Sequence, residues 1–342
     1  MKRVAIICGG RSSEHEISCI SAGGVISAID RSKFEPVLIG ITKSGKWVLL
    51  DEKFPLQIVD GVLPVIPEDA PPLVADIAGF SAGGVSLNID IAFPVLHGPF
   101  GEDGTIQGML EMAGIAYVGS GVLASAVAMD KSFAKPIFAS HGIKVAEGFT
   151  ITAERWKSEV TAITHEATSL SYPVFVKPAR GGSSRGTHKV KSESQLAAAI
   201  NDALTFDSKV MIENAVVGSE IECAVLEIDG SAQASVVGKI SIDPKYEFYD
   251  FEAKYLDGAT TIELPAPIDK DISGAIRDQA IKAFKALDCR GLARVDFFLT
   301  NNNEIIINEL NTMPGFTATS VFPKMWAASG VSYTEIITAL LS

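Results

Sequence analysis

Near the C-terminal end, Arg294 and Asp296 stand two residues apart in one apolar run, and Glu309 and Asn311 two apart in another. The runs, 292–299 and 304–310, are separated by Asn301-Asn302-Asn303, a composition that suits a β-hairpin turn. Side chains alternate along a strand, so each pair shares a face. A turn centred on Asn302 and Asn303 sets Asp296 opposite Glu309. Two carboxylates and an amide oxygen then meet at one end of a sheet, the hard-oxygen set that Mg²⁺ prefers. Carboxylates facing each other repel, which favours a cation between them. The other reading is a solvated hairpin face with a stray Arg–Asp pair. Ile305, Ile306 and Ile307 argue against it, because a buried strand should not end in bare charge.

A second set is Lys177-Pro178-Ala179-Arg180-Gly181-Gly182-Ser183-Ser184-Arg185-Gly186. It follows an apolar strand, 174–176, and leads into another strand. A Walker A loop or a Rossmann fingerprint would open a helix there, and no Gly-Lys-Ser/Thr ending is present. A glycine- and serine-rich hairpin tip can still fold its N–H groups over phosphates, with Lys177 as the point charge. Taken alone, Gly-Gly-Ser-Ser more commonly means a flexible loop; beside a Mg²⁺ hairpin, the phosphate reading prevails.

Three other stretches fit the same chemistry. His97-Gly98-Pro99-Phe100-Gly101-Glu102-Asp103-Gly104 crowds polar groups and glycines between a strand and a helix, the usual place for a site in an open α/β sheet. A lone histidine such as His97 more often serves a structural hydrogen bond. In Ser13-Glu14-His15-Glu16, a capping box between Ser13 and Glu16 opens a helix and leaves Glu14 to face the same crevice. Residues 243–258 gather Tyr246, Phe248, Tyr249, Phe251 and Tyr255 around Lys245 and Lys254, as a lid closing over a ligand would. A surface loop pinned by its own aromatics is the alternative.

Apolar periodicity supplies the scaffold for these groups. In the first third, strands at 3–8, 36–42 and 89–96 alternate with helices after Ser13 and over 106–113, the second ended by Gly114 at C′. Such alternation predicts a mostly parallel sheet covered on both faces. Between residues 43 and 88, Pro55, Pro64, Pro67, Pro71, Pro72, Gly79, Gly83 and Gly84 break any long element, leaving loops and short hairpins. From about residue 120 the rhythm changes, with a helix over 130–141, strands at 172–177 and 187–190, a helix over 193–206 and a strand at 209–213. The last third adds strands at 220–228 and 234–242 to the two hairpin runs, with helices over 271–287 and 332–341. A capping box from Ser332 to Glu335 opens the last helix.

The chain has 342 residues, 47% hydrophobic and 20% charged, enough for two or three domains with cores of their own and too apolar for disorder. Its 41 acidic residues outnumber 29 basic ones, for a net charge of −12, which disfavours a nucleic-acid surface. No apolar run nears the ~18 residues of a membrane span, and residues 4–8 are too short for a secretory core. Cys8, Cys19, Cys223 and Cys289 lie in apolar stretches without a CxxC pair and read as reduced core thiols. The expectation is a soluble, cytoplasmic α/β protein.

Taken in order, residues 9–18, 97–108, Met129-Asp130-Lys131, 177–186, 249–255, Arg294-Val295-Asp296 and 308–320 resemble the motifs of the D-alanine–D-alanine ligases. These members of the ATP-grasp superfamily join two D-alanines for peptidoglycan at the expense of ATP. The resemblance spans nearly the whole chain. It implies a parallel-sheet, Rossmann-like α/β substrate domain over 1–120, followed by an ATP-grasp pair of α+β domains: a central one over 121–213 and a catalytic one over 214–342. It also implies ATP as co-substrate, a homodimer, and two Mg²⁺ ions on Asp296, Glu309 and Asn311, with Mn²⁺ able to substitute. Lys131 and Lys177, joined by Lys254, would bind the ATP phosphates beneath the 181–186 loop. Glu213, Asn214, Ala215 and Val216 would form the hinge against adenine, and Glu220 would hold the ribose. Glu14 would bind the ammonium of the first D-alanine in a substrate site that includes His97. Glu14, Ser183 and Tyr255 would tie the lid shut. Arg294 and the Gly315 N–H would form the oxyanion hole, and Ser320 and Lys254 would hold the carboxylate of the second D-alanine.

Two positions depart from the family pattern: Gly181 and Asn214 stand where many members carry Glu and Lys. Ligases of the same fold that take D-serine or D-lactate as second substrate are the nearest alternative, and those forming the D-lactate product lack the tyrosine found here at 255. A nucleotide-binding sensor without turnover is another, but a sensor needs no oxyanion donor such as Arg294. Small molecules are the expected partners, with neither nucleic acid nor membrane among them. If the hairpin holds metal, Glu309→Gln removes the carboxylate shared by both ions. Turnover then collapses while the isosteric change spares the fold; near-normal turnover at saturating Mg²⁺ removes the metal assignment.

Overall fold

The computed structural model describes residues 1–242 and 260–342, so the expected lid, with Lys254 and Tyr255, lies outside the described residues. β1 (Lys2–Gly9) is buried along residues 4–9, as befits a strand covered on both faces. It leads into α1 (His15–Ala28), β2 (Phe34–Ile41), β3 (Trp47–Leu49), the short strands β4 (Val74–Asp76), β5 (Gly79–Ala82) and β6 (Val85–Ser86), then β7 (Ile91–Pro94), α2 (Thr105–Met112) and β8 (Ala116–Tyr117). The sheet runs β3-β2-β1-β7-β8, parallel except at the β2–β3 edge. β4, β5 and β6 form a small antiparallel sheet of their own. Parallel sheet, short hairpins and the Gly114 terminator (φ +65°) all follow the sequence expectation.

The capping box at Ser13 does not form. α1 starts at His15, with Glu14 in the cap position and no side-chain capping bond. Glu16 pairs instead with Lys43 beyond β2, a distant cation that competes with the cap N–H for the same carboxylate. Glu14 is thereby placed where the chain turns out of the first sheet.

The middle of the chain folds as α3 (Val122–Met129), α4 (Lys131–Ser140), β9 (Gly148–Thr152), α5 (Ala153–Ser158), α6 (Val160–Ser169), β10 (Val174–Pro178), β11 (His188–Val190), α7 (Glu193–Phe206) and β12 (Lys209–Asn214). Its sheet, β11-β10-β12-β9, is antiparallel throughout. α3 was not foreseen because its sequence, VLASAVAM, is apolar all round and shows no helical stripe. Asp130 caps α4, accepting from the Ser132 N–H at 3.0 Å.

The last third carries β13 (Gly218–Ile228), β14 (Ser231–Ile242), β15 (Thr260–Glu263), α8 (Lys270–Ala286), β16 (Leu292–Thr300), β17 (Ile305–Asn311), α9 (Val321–Ala328) and α10 (Tyr333–Leu341). Its sheet runs β15-β14-β13-β16-β17, again antiparallel. The Ser332–Glu335 capping box is present at α10. Asp296 does face Glu309, but by a different route from the one expected. Leu299 pairs with Ile305, so the turn centres on Asn302 alone, and a regular ladder would set Asp296 against Asn308. A bulge between Asp296 and Phe297 inserts Asn308 as an extra residue and moves Glu309 into place.

The first and last sheets share one core, in which Ile6, Val25, Phe93 and Val95 pack with Leu226, Leu292, Phe316, Phe322 and Trp326. Phe316 follows β17 and is fully buried; its ring lies 5.6 Å from Phe93, 5.8 Å from Phe322 and 5.4 Å from Tyr333. Phe316→Ala should therefore cost about 3–5 kcal/mol. Urea unfolding checks this, and a loss below about 1 kcal/mol would show that the seam does not depend on this ring.

Candidate active site

A cleft of about 570 Å³ opens between the sheet of the middle of the chain and that of the last third. Lys131 from α4, Lys177 from β10, Ser183 from the glycine loop, Glu213, Asn214, Ala215, Val216 and Glu220 all line it, together with Arg294, Asp296 and Glu309 of the hairpin. Sequence motifs 178 residues apart, Lys131 and Glu309, are bridged here at 2.9 Å.

Asp296, Glu309, Glu213 and Glu222 at the cleft are each matched by a base. Arg294 donates Nε and Nη2 to the two oxygens of Asp296, both at 2.7 Å, and its Nε lies 3.2 Å from Glu222. Asn311 Nδ2 donates to Asp296 at 3.1 Å. Glu213 takes Lys135 on one oxygen and Lys177 on the other, and Lys177 also donates to Oδ1 of the bulge residue Asn308 at 3.2 Å. Burial pushes the Glu213 carboxyl up, but Lys135 and Lys177 more than offset it and leave it at about 2. Burial pulls the Lys135 ammonium down to about 8, against the attraction of Glu213 and with the repulsion of Lys177 and Lys131. Lys131, equally buried, is pulled down by desolvation, but Glu309, Glu213 and Glu102 together outweigh it and leave its pKa raised.

The glycine loop is closed down on both sides. Lys131 donates to the Gly181 carbonyl at 2.9 Å, and the Ser183 hydroxyl donates to Glu14 Oε1 at 2.8 Å. The other Glu14 oxygen sits so near Gly98 (φ +72°) that a Cβ there would meet it at 3.0 Å, so glycine is needed at that position for space and for backbone alike. A cavity of about 30 Å³ adjoins the cleft, between Gly98, Glu102, Gly182, Glu309 and Asn311. Glu102 accepts from the N–H groups of Gly98 at 2.7 Å and Met313 at 3.1 Å, while burial raises its carboxyl to about 8.

Other expected residues stand farther from the cleft. His97 is buried, donating Nδ1–H to the Met313 carbonyl at 3.0 Å with Ser21 Oγ 3.2 Å from Nε2, and burial lowers its pKa. It thus holds the segment after β17 against the first sheet by the hydrogen bonds a structural histidine makes. Gly315 lies against Ser320, whose hydroxyl accepts from the Thr317 N–H at 3.1 Å. The Asn214 and Ala215 N–H groups are committed to the Glu147 and Pro173 carbonyls. Lys135, Glu222 and Asn308 escaped the sequence reading. Lys135 is one helical turn from Lys131, a usable signal; Glu222 faces Asp296 only through the β13–β16 register, and Asn308 only through the bulge.

Residues 3–120 match the family pattern described as D-ala D-ala ligase N-terminus, and residues 137–342 that of D-ala D-ala ligase C-terminus. The chain belongs to the D-alanine–D-alanine ligase family. It is 48% identical over 356 residues to the D-alanine–D-alanine ligase of Mycolicibacterium gilvum, covering 99% of this chain and 96% of that one. With the Mycobacterium tuberculosis enzyme of the same name it shares 47% over 359 residues, or 99% and 94% of the two chains. Among solved structures, the VanG D-Ala:D-Ser ligase from Enterococcus faecalis superposes with a TM-score of 0.87 at 36% identity, covering 99% of this chain and 98% of that one. The D-alanine–D-alanine ligase from Coxiella burnetii gives 0.85 at 32%, with 99% and 92% covered. The mixed α/β architecture is thus the ATP-grasp fold of these ligases.

Among the described residues no group of three or more His, Cys, Asp or Glu side chains gathers as metal ligands. Asp296, Glu309 and Asn311 nevertheless fit Mg²⁺, which keeps water and substrate phosphate in its shell and needs only one or two protein carboxylates. Among the described residues no helix is long and apolar enough to cross a membrane.

The buried Glu213 pair has a pH signature. Its folded pKa of about 2 lies below the ordinary 4.5, so the pairing stabilises the fold fully above 4.5 and is lost as pH falls towards 2. Glu213→Gln leaves Lys135 and Lys177 buried without an anion and should cost about 3–5 kcal/mol near neutral pH. Without Glu213 the Lys135 ammonium is held lower still, so the variant should regain stability as pH rises above neutral, folded Lys135 shedding its proton before the unfolded chain does. Urea unfolding at about pH 7 and about pH 9.5 reads the difference, and a deficit equal at both would refute it.

Proposed function

We propose that the chain joins two D-alanines to D-alanyl-D-alanine through a D-alanyl phosphate, at the expense of ATP, for peptidoglycan precursors. The Ser183–Glu14 bond carries the reading. It brings the carboxylate at the start of α1 to the tip of the glycine loop, so an amino acid held there by its ammonium presents its own carboxylate to the nucleotide cleft.

A carboxylate is a poor electrophile, so the first D-alanine attacks the γ-phosphate and becomes an acyl phosphate. Phosphoryl transfer needs charge neutralisation and alignment, which Lys131, Lys177 and Lys254 provide beneath the closed loop. Asp296, Glu309 and Asn311 would hold two Mg²⁺ ions, with Mn²⁺ able to substitute, a site that would supply further neutralisation of phosphate charge. Glu213, Asn214, Ala215 and Val216 face adenine through the side chain and backbone groups not already committed, and Glu220 takes the ribose. The amine of the second D-alanine, held by its carboxylate on Ser320 and Lys254, then displaces phosphate. Arg294 and the Gly315 N–H are aimed at the developing oxyanion, and Glu222 keeps Arg294 in place. Glu14, Ser183 and Tyr255 hold the lid shut. His97 supports the substrate site through the Met313 carbonyl. The division into 1–120, 121–213 and 214–342, the homodimer and the cytoplasmic location belong to the same reading.

The structural likeness to a D-Ala:D-Ser ligase favours one second reading, D-serine as acceptor. A pocket that accepts a methyl rejects an added hydroxyl only weakly, by ~10² in a known case. D-Lactate differs more, at the attacking atom: an amine must shed a proton before attack, and a hydroxyl has no such handicap as pH falls. The expected outcome is D-alanyl-D-alanine as main product, some D-alanyl-D-serine, and negligible depsipeptide at neutral pH. Competition of equal D-alanine and D-lactate at about pH 6 and about pH 8 tests it; depsipeptide dominating at both overturns the acceptor while sparing the nucleotide site.

A further inference from the structure

Lys135 has no part in the roles above, yet it is 5% exposed and lies outside the cleft lining. Its ammonium is bonded to Oε2 of Glu213, and Lys177 is bonded to Oε1. One carboxylate therefore carries two cations, one that lines the cleft and one that does not. Burying a second lysine is costly, and a single cation would suffice to neutralise Glu213.

The reason lies in what a nucleotide does to the pair, on the reading that the cleft takes ATP. Lys177 must turn from Glu213 towards the phosphates, which compete for it as a point charge. A buried carboxylate that loses its counter-ion takes up a proton or destabilises its surroundings. The charged groups facing Glu213 are Lys135 and Lys131 from α4 and Lys177 from β10. Lys131 is engaged with Glu309 at 2.9 Å and with the Gly181 carbonyl at 2.9 Å, so it is not placed to take over. We propose that Lys135 is a positioning residue for nucleotide binding: it stays on Glu213 when Lys177 turns to the phosphates, so the carboxylate remains ionised and fixed and the exchange needs no proton.

Lys135→Met removes the charge and keeps an unbranched apolar stem. Calorimetric titration with Mg·ATP in the absence of D-alanine, repeated in two buffers of different ionisation enthalpy, reads affinity and protons together. The variant should bind ATP roughly ten- to hundredfold more weakly, the loss expected for one hydrogen bond to a charged group. It should also take up about one proton more per ATP than the wild type, because Glu213 now has to be neutralised. The KM for D-alanine should stay near the wild-type value, and Lys135→Arg should restore much of the ATP affinity. An affinity within about twofold of wild type, or a weaker one without the extra proton, overturns the proposal and leaves the ATP reading standing. Wild-type protein that takes up no ATP overturns that reading, and the proposal with it.

Discussion

A charge destined for a ligand must first be kept inside the protein without one, and pairing is what makes this possible here. Isolated buried ions are prohibitively expensive, and a pair is tolerable only when hydrogen bonds satisfy what the Coulomb attraction leaves open. At the cleft, Asp296 takes both arms of Arg294, Glu309 takes Lys131, and Glu213 takes Lys135 and Lys177. The acids suited to a cation and the bases suited to phosphate are thus each other's partners in this structure. Nucleotide and metal would exchange these partners, which is cheaper than creating charge in a dry cavity.

The pairing depends on geometry set far away. Lys131 reaches Glu309 because α4 and β17 are held against the same core, and Arg294 meets Asp296 and Glu222 because β13 and β16 pair in register. The bulge at Asn308 has two effects: it sets Glu309 opposite Asp296, and it offers Lys177 a neutral amide partner beside its ionic one. On the other side, Phe316, His97 and Glu102 fasten the segment after β17 to the first sheet through rings, a carbonyl and an N–H. That seam makes the distance between Glu14 and the hairpin a property of a packed core, which transmits strain and does not flow.

Local patterns were legible wherever a short-range rule decides the outcome. The parallel first sheet, the hairpin around Asn302, the α10 capping box and the charged residues at strand ends all follow from alternation, turn composition and caps, which operate within a few residues. The same rules failed where a distant group competed. Ser13 and Glu16 have the spacing of a capping box, yet Lys43 takes Glu16. α3 has no polar face to mark its period, because apolar side chains such as Leu123 stand even on its exposed side.

Residue types and their order along the chain sufficed to name the family, since carboxylates at strand ends, lysines beside them and a glycine-rich tip leave a mark at each position. Partner choice was settled only in three dimensions. That Lys135 rests on Glu213, that Glu222 supports Arg294 and that His97 binds a backbone carbonyl depend on helix packing, strand register and one inserted residue. Such contacts are fixed by the lowest-energy packing of elements some 70 to more than 200 residues apart, for which no single segment of sequence carries the information.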